Sequence, residues 1–263
     1  MSAGGRYSIG ILGHDRPSDL RRLRLRERVM DPESRRVLRA RGLDRAWRCL
    51  EIGAGTGSIA RWLARRCPDG RVVATDVDTR HLSRLRLPNI EVLRHDVVRD
   101  DFPAASFDLI HARSVLVNLP EREEVLTKLV GWVAPGGSLV LEEPALMLHD
   151  VSPHAAFRRL FDAFEAALRG SHGADVRWAP RLPALLAAHG LEDVGIDVTS
   201  QLVGDGGPAE AIWRTAIAQA RAEMLGLDLI SEPELHAGLA LFDSPGLLEI
   251  AMLVISAWDR RAG

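Results

Sequence analysis

The stretch CLEIGAGTGSIA, residues 49–60, decides how this chain is read. A short apolar run carrying one acid, Glu51, leads into glycines at 53, 55 and 57, and a helix-like pattern begins directly after them. Glycine loses the most backbone freedom on folding, so three in five residues imply that something must approach the main chain closely. A helix N-terminus placed there offers unpaired N–H groups and the positive end of the helix dipole. The pattern therefore predicts strand, glycine loop, helix, with a ligand over the loop; a tight turn without a ligand is the plainer alternative.

Working outward, the same rhythm repeats. RCLEI reads as a strand and 57–67 as a helix; RVVATD as a strand and 78–86 as a helix; IEVLRHD as a third strand. FDLIHAR is a fourth strand before a helix at 121–133, and PGGSLVLEEP is a turn and a fifth strand. Short apolar strands alternating with helices predict an α/β fold with a mostly parallel sheet covered on both faces. Ligands bind such sheets beyond the carboxyl ends of the strands, near the point where strand order reverses. Upstream, 18–41 reads as two short helices divided at Asp31-Pro32, with Asp31 as N-cap. After Pro144 the spacing turns helical over 153–190. A strand at 192–203, helices at 208–225 and 232–242, and a closing edge strand paired with 192–203 complete the expectation. The division is a helical lid segment (1–46), a ligand-binding core (47–150), a helical substrate cap (151–190) and a C-terminal completion of the sheet (191–263).

Bulk composition agrees. The 263 residues are 46% hydrophobic and 27% charged, as expected of a globular chain, with no apolar run long enough for a membrane span. The N-terminus lacks an apolar core of signal-peptide length and there are two cysteines, Cys49 and Cys67, so a cytoplasmic location is expected. Net charge is −2, which gives no overall attraction to nucleic acid. Residues 21–48 are strongly basic, either a phosphate-binding arm or the solvated face of helices, and no aromatics are interleaved for base stacking.

Three acids fall at the ends of three successive predicted strands. Asp76 is placed to accept from ribose hydroxyls and Asp96 from an exocyclic amine, with the N–H of Val97 beside a ring nitrogen. Capping roles are the alternative for both. The glycine spacing is GAGTG, not the G-x-G-x-x-G of dinucleotide folds, and Glu51 at the loop's start would repel a pyrophosphate. An acid there suits a ligand with an amino group or positive charge.

LEIGAGTG, VVATDVD, RHDV, FDLIHARSVLVNLP and VAPGGSLVLEEP, in that order over about 47–143, resemble the successive motifs of class I S-adenosylmethionine-dependent methyltransferases. The N-terminal segment from Tyr7 and WAPRLPALLAAHGLEDV resemble actinobacterial small-molecule enzymes, including those of natural-product pathways. The resemblance implies a Rossmann-like seven-stranded sheet with an inserted helical cap, and S-adenosylmethionine as cofactor. It places Glu51 and Gly53 at the methionine amine, Ala54 among the cofactor-binding residues, and Gly55 and Gly57 where the ligand passes. Asp76 and Val77 fall at the ribose and adenine, Asp96 and Val97 at the adenine edge, and Ala112 and Arg113 beside the sulfonium. Arg26 is expected on the methionine carboxylate, and Tyr7, the only tyrosine, over the cofactor.

For the methyl acceptor some classes are excluded. The place where base-amine methyltransferases carry Asn/Asp-Pro-Pro-aromatic reads HARSVLVN, the order of a cytosine-C5 Pro-Cys nucleophile is reversed in RCPDG, and no acid cluster suits a metal-dependent catechol enzyme. No metal is expected. Catalytic candidates are Glu143, His149 and His111; substrate-binding candidates are His154, Arg177, Trp178 and Trp213. The expected function is methyl transfer to O, N or C of a small, partly apolar metabolite in secondary metabolism, with no nucleic-acid or membrane partner and a possible homodimer. The alternatives are a cofactor-binding pathway enzyme that has lost methyl transfer, such as a cyclase, and an RNA methyltransferase using the basic arm.

Overall fold

Each predicted apolar run becomes a strand of one sheet in the computed structural model, which describes Gly10, Ile11, Gly13 and residues 19–262. Strands β1 (Arg48–Ile52), β2 (Arg71–Asp76), β3 (Ile90–Arg94), β4 (Phe107–Arg113) and β5 (Val133–Ala145) pair in parallel. β6 (Glu192–Val203) and β7 (Glu249–Arg260) are added antiparallel, giving the order β3-β2-β1-β4-β5-β7-β6. The chain leaves β1 toward β2 on one side and returns to β4 on the other, so the reversal point lies between the carboxyl ends of β1 and β4.

The helices are α1 (Asp19–Arg39), α2 (Ser58–Arg66), α3 (Arg122–Trp132), α4 (Ala155–His172), α5 (Leu182–Ala188), α6 (Pro208–Gly226) and α7 (Glu232–Leu241). One sheet face, through Leu50, Ile110 and Leu141, packs on α3 and α5. The other, through Cys49, Leu109 and Val140, packs on α1 and α2. A separate core joins α4, α6 and α7, with Phe157, Phe161, Phe164 and Trp213 at its centre. The cap is thus built from α4 with two later helices, whereas α5, inside the range assigned to the cap, belongs to the sheet layer. No helix among the described residues is long and apolar enough to cross a membrane.

Three local expectations change. α1 runs unbroken through Pro32. Its buried residues Met30, Ser34, Val37 and Leu38 lie on both sides of the proline, and their packing outweighs the cost of a missing N–H. Asp31, no longer a cap, is buried and accepts from Arg35, Ser58 and Arg113. The helix expected at 78–86 shrinks to a single 3-10 turn, Thr79–His81, capped by Asp78. Beyond it Leu82 and Leu85 turn inward and fill the space beneath Gly57, where a Cβ would meet Leu85 Cδ2 at 2.9 Å. The closing strand is not an edge: β7 lies between β5 and β6, and β6 is the edge on that side, with β3 at the other. The thiols of Cys49 and Cys67 are both free and buried, 3.8 Å apart.

Candidate functional site

The glycine loop leaves β1 at Ile52 and is tied to the tip of β2. Ala54 N–H donates to the Thr75 carbonyl (2.9 Å), and Gly55 N–H donates to Asp76 Oδ2 (2.9 Å). Gly53 sits at φ +61°, a conformation side chains rarely adopt, and a Cβ there would meet Val115 Cγ2 at 2.6 Å. Gly53→Ala is therefore expected to lose about 1–2 kcal/mol from the left-handed backbone alone and to narrow the loop. Thermal melting and ligand titration of the variant would check this; an unchanged melting temperature would contradict it.

Over this loop lies a groove in two contiguous halves that share Leu23, Arg26, Gly53, Gly55 and Arg113. The first half, a cleft of about 670 Å³, includes Asp76, Val77, His95, Asp96 and Val97. Asp76 is buried and oriented by two backbone donors, Gly55 N–H and Asp78 N–H (3.1 Å to Oδ1). Asp96 lies beyond the end of β3, with Oδ1 accepting from Val98 N–H (3.2 Å). His95, missed in the sequence although it immediately precedes Asp96 in RHDV, is buried and stacked on Phe102. Neither of its ring nitrogens has a hydrogen-bond partner among the described residues, and burial lowers its pKa. The second half holds Glu27, Glu51 and Ala54, with the guanidinium-bearing Arg26 and Arg113 beside them. Glu27, also missed, has a raised pKa, chiefly from burial and then from Asp31. Its signal was weak, being one acid within a basic helix.

Glu51 does not stand alone. Its Oε2 is 2.7 Å from His111 Nδ1, and His111 Nε2 is 2.9 Å from Glu142 Oε2. Ser256 then donates to Glu142 Oε1 (2.9 Å). These residues come from β1, β4, β5 and β7 and form a polar row across one face of the sheet. Burial lowers the His111 pKa, but the flanking carboxylates overcome it and raise it to about 9. Burial also opposes ionisation of Glu142, yet His111 brings that acid down to about 2. The row is an imidazolium between two carboxylates, with both ring nitrogens donating.

Glu143 points to the opposite face and is fully buried. Its carboxylate accepts from the N–H groups of Val115, Leu116 and Val117 at 3.2, 2.9 and 3.3 Å. Burial raises its pKa to about 7 against the pull of these donors. Glu143 thus ties down the loop after β4. Glu143→Gln would set an amide NH₂ against backbone donors and is expected to cost about 1–3 kcal/mol, read from urea unfolding. Stability within 0.5 kcal/mol of the parent, about the usual limit for a neutral change, would refute that role.

Ser114, in the same loop, adopts φ +57°. Its N–H donates to the Glu142 carbonyl (2.8 Å), and its own carbonyl accepts from Asn118 Nδ2 (2.8 Å). Ser114, Asn118 and Arg26 line both the first groove half and a second cleft of about 620 Å³. That cleft is walled by Leu146, Phe164, Val176, Ile212, Trp213 and Met252. No motif foretold it.

The three catalytic candidates lie outside both clefts. His111 is enclosed within its carboxylates, Glu143 within backbone donors. His149 is buried in the cap, its Nε2 3.2 Å from Asp162 and 3.4 Å from Arg177. Asp150 completes a His149–Asp150–Asp162 cluster, but the Arg177 guanidinium already binds Asp150 through both terminal nitrogens (2.7 and 2.8 Å). Of the substrate candidates, only Trp213 lines the second cleft. Arg177 is spent on Asp150 and Glu165, Trp178 is in the sheet core, and His154 stands at the N-terminal boundary of α4 near Glu249, with no side-chain hydrogen bond to the helix. Among cofactor candidates, Gly57 and Ala112 are packed in the interior and do not line the groove, and Tyr7 lies outside the described residues.

Comparison with known proteins identifies the family and the fold. A methyltransferase-domain family model matches residues 50–139. Methyltransferase str3 of Strobilurus tenacellus is 32% identical over 200 residues, covering 70% of this chain and 69% of that protein. The trans-aconitate 2-methyltransferase of Azoarcus sp. is 32% identical over 179 residues, covering 65% and 68%. In fold, the chain matches phosphoethanolamine N-methyltransferase 2 of Haemonchus contortus in complex with S-adenosyl-L-methionine, with TM-score 0.55 and 14% identity over 99% of this chain and 57% of that one. Together with the glycine loop, the acids at the strand tips and the seven-stranded sheet, these matches show that the chain belongs to the class I S-adenosylmethionine-dependent methyltransferases.

Proposed function

We propose that the protein transfers a methyl group to a small, partly apolar metabolite, in a biosynthetic pathway of secondary metabolism. The observation that carries this reading is the meeting of two clefts at Ser114, Asn118 and Arg26, one polar and glycine-floored, the other apolar.

The groove's residues fit S-adenosylmethionine. His95 brings unpaired buried ring nitrogens to the nucleoside half, and Gly53 and Gly55 present bare main chain to the groove. Glu27 and Glu51 with Arg26 and Arg113 suit a zwitterionic ammonium and carboxylate. When bound, the cofactor supplies an activated methyl group for in-line displacement. Asp76 would hold the ribose, Asp96 and Val97 the adenine edge, and Glu51, steadied by His111, the amine. No His, Asp or Glu lines the second cleft among the described residues, so the chain's contribution there is to position the acceptor and exclude water.

The basic segment gives little support to an RNA reading. Arg22, Arg35, Arg45 and Arg48 are paired with Asp19, Asp31, Asp69 and Asp108, and Arg41 lies over Trp258. The test is mass spectrometry of the purified protein with methyl-labelled cofactor and pooled small metabolites of the host. The expected result is a labelled small product with stoichiometric S-adenosylhomocysteine. Cofactor binding without any S-adenosylhomocysteine would point instead to a cyclase-like enzyme.

A further inference from the structure

The second cleft records the chemistry of what it takes. Leu146, Phe164, Leu168, Val176, Ile212 and Met252 give it apolar walls. Three side chains interrupt them, each more than nine-tenths buried: Ser114 (9% exposed), Gln201 (5%) and Trp213 (4%). Ser114 Oγ, Gln201 Oε1 and Trp213 Nε1 have no hydrogen-bond partner among the described residues. Leaving a buried donor or acceptor unmade forfeits its hydration with nothing in return, so native folds seldom do it. Here three occur around one cleft, while Asn118 on the same wall is bonded to both Ser114 and His172. Ser114 is also held at a positive φ, a strained state that persists where the surroundings enforce it and that clusters at working sites.

Charge narrows the ligand further. Arg22 and Arg26 are the only charged residues lining the cleft among those described, and both are cationic. Arg22 is already neutralised by Asp19 (2.5 Å), so what disfavours a cationic amine is that no carboxylate among the described residues lines the cleft to receive it.

We propose that this cleft is the acceptor site and that it takes an uncharged or anionic, largely apolar, hydroxylated compound with a second oxygen function. A hydroxyl at the seam meets Ser114, Trp213 N–H donates to a ligand oxygen, and Gln201 Oε1 accepts from a ligand hydroxyl. The proposal rests on the methyl-transfer reading above and assigns the substrate class of that site.

The test is calorimetric titration of the full chain saturated with S-adenosylhomocysteine, using methyl 4-hydroxybenzoate, methyl benzoate and benzylammonium as probes. Methyl 4-hydroxybenzoate should bind about tenfold more tightly than methyl benzoate, and benzylammonium most weakly, since one hydrogen bond to a buried group corresponds to about that factor. Gln201→Met should bring methyl 4-hydroxybenzoate down to the level of methyl benzoate. Trp213→Phe should weaken both esters about tenfold. Neither residue lines the cofactor groove, so S-adenosylhomocysteine affinity should hold in both variants, which also reports that they are folded. Benzylammonium binding as tightly as the phenol, unchanged ester affinities in the variants, or no ester binding to the loaded protein would overturn the assignment while sparing the methyl-transfer reading. If S-adenosylhomocysteine itself does not bind to the wild type, both fall.

Discussion

His111→Ala is expected to destabilise the protein by about 3–5 kcal/mol, the usual cost of removing one partner from a buried ion pair. The substitution leaves Glu51 and Glu142 buried, without the imidazolium that lies 2.7 and 2.9 Å from them. A lost hydrophobic contact would cost far less here, because the side chain is surrounded by charge. Urea unfolding at pH 6 measures the effect, and a loss below about 1 kcal/mol, the range of ordinary surface changes, would show that the row is not ionised as described. The same row makes stability depend on pH. The folded-state pKa of His111 is raised from 6.5 to about 9, so its contribution is complete below 6.5 and is lost as pH rises through 9. At about 1.36 kcal/mol per pH unit that loss is about 3 kcal/mol. Glu142 runs the other way: lowered from 4.5 to about 2, it contributes fully above 4.5 and fades as pH falls through 2. From these two groups the stability maximum lies between 4.5 and 6.5. In His111→Ala the alkaline decline should vanish. Its persistence would assign the decline to another group.

Asp76→Ala is expected to abolish useful cofactor binding. The carboxylate lies at the end of β2, buried and aimed by Gly55 N–H and Asp78 N–H at the lip of the groove, where it would accept from two ribose hydroxyls. Hydrogen bonds to a charged group are worth about 1.5–3 kcal/mol each, so losing two corresponds to roughly 10²–10⁴ in affinity for S-adenosylhomocysteine. The variant also frees the Gly55 N–H, so the fold should be checked by circular dichroism and thermal melting. Asp76→Asn, which keeps the shape and one acceptor oxygen, should recover part of the affinity. Calorimetric titration that shows the parent's dissociation constant in Asp76→Ala would remove the ribose assignment and the order of the groove with it.

The local code was legible wherever a short-range rule governs. GAGTG announced its loop because glycine takes positive φ, as at 53, 55 and 57, without the steric cost a side chain would add. The period of apolar residues announced five parallel strands, and the acids at 76 and 96 followed from where those strands had to end. Where a segment's neighbours lie far off in sequence, the reading stopped. The 78–86 segment carries helix-forming residues, yet packing of Leu82 and Leu85 under Gly57 took precedence over propensity. β7 is a nearly continuous apolar run, IAMLVISAW at 250–258, but its place between β5 and β6 was set only by its ladders with both.

By itself the sequence determined the sheet's parallel half, the glycine loop and the cofactor class, since each is written in short motifs, local to one strand and its following loop, that recur in a fixed order along the chain. Tertiary structure alone decided that Glu51 is one end of a buried charged row with His111 and Glu142, and that Glu143 is a tether for backbone N–H groups. It also decided that the second cleft draws its walls from α1, α4, α6, β6 and β7. The physical reason is that burial and charge pairing act between side chains close in space, such as Glu142 and Ser256, 114 residues apart, and leave no periodic trace along the chain.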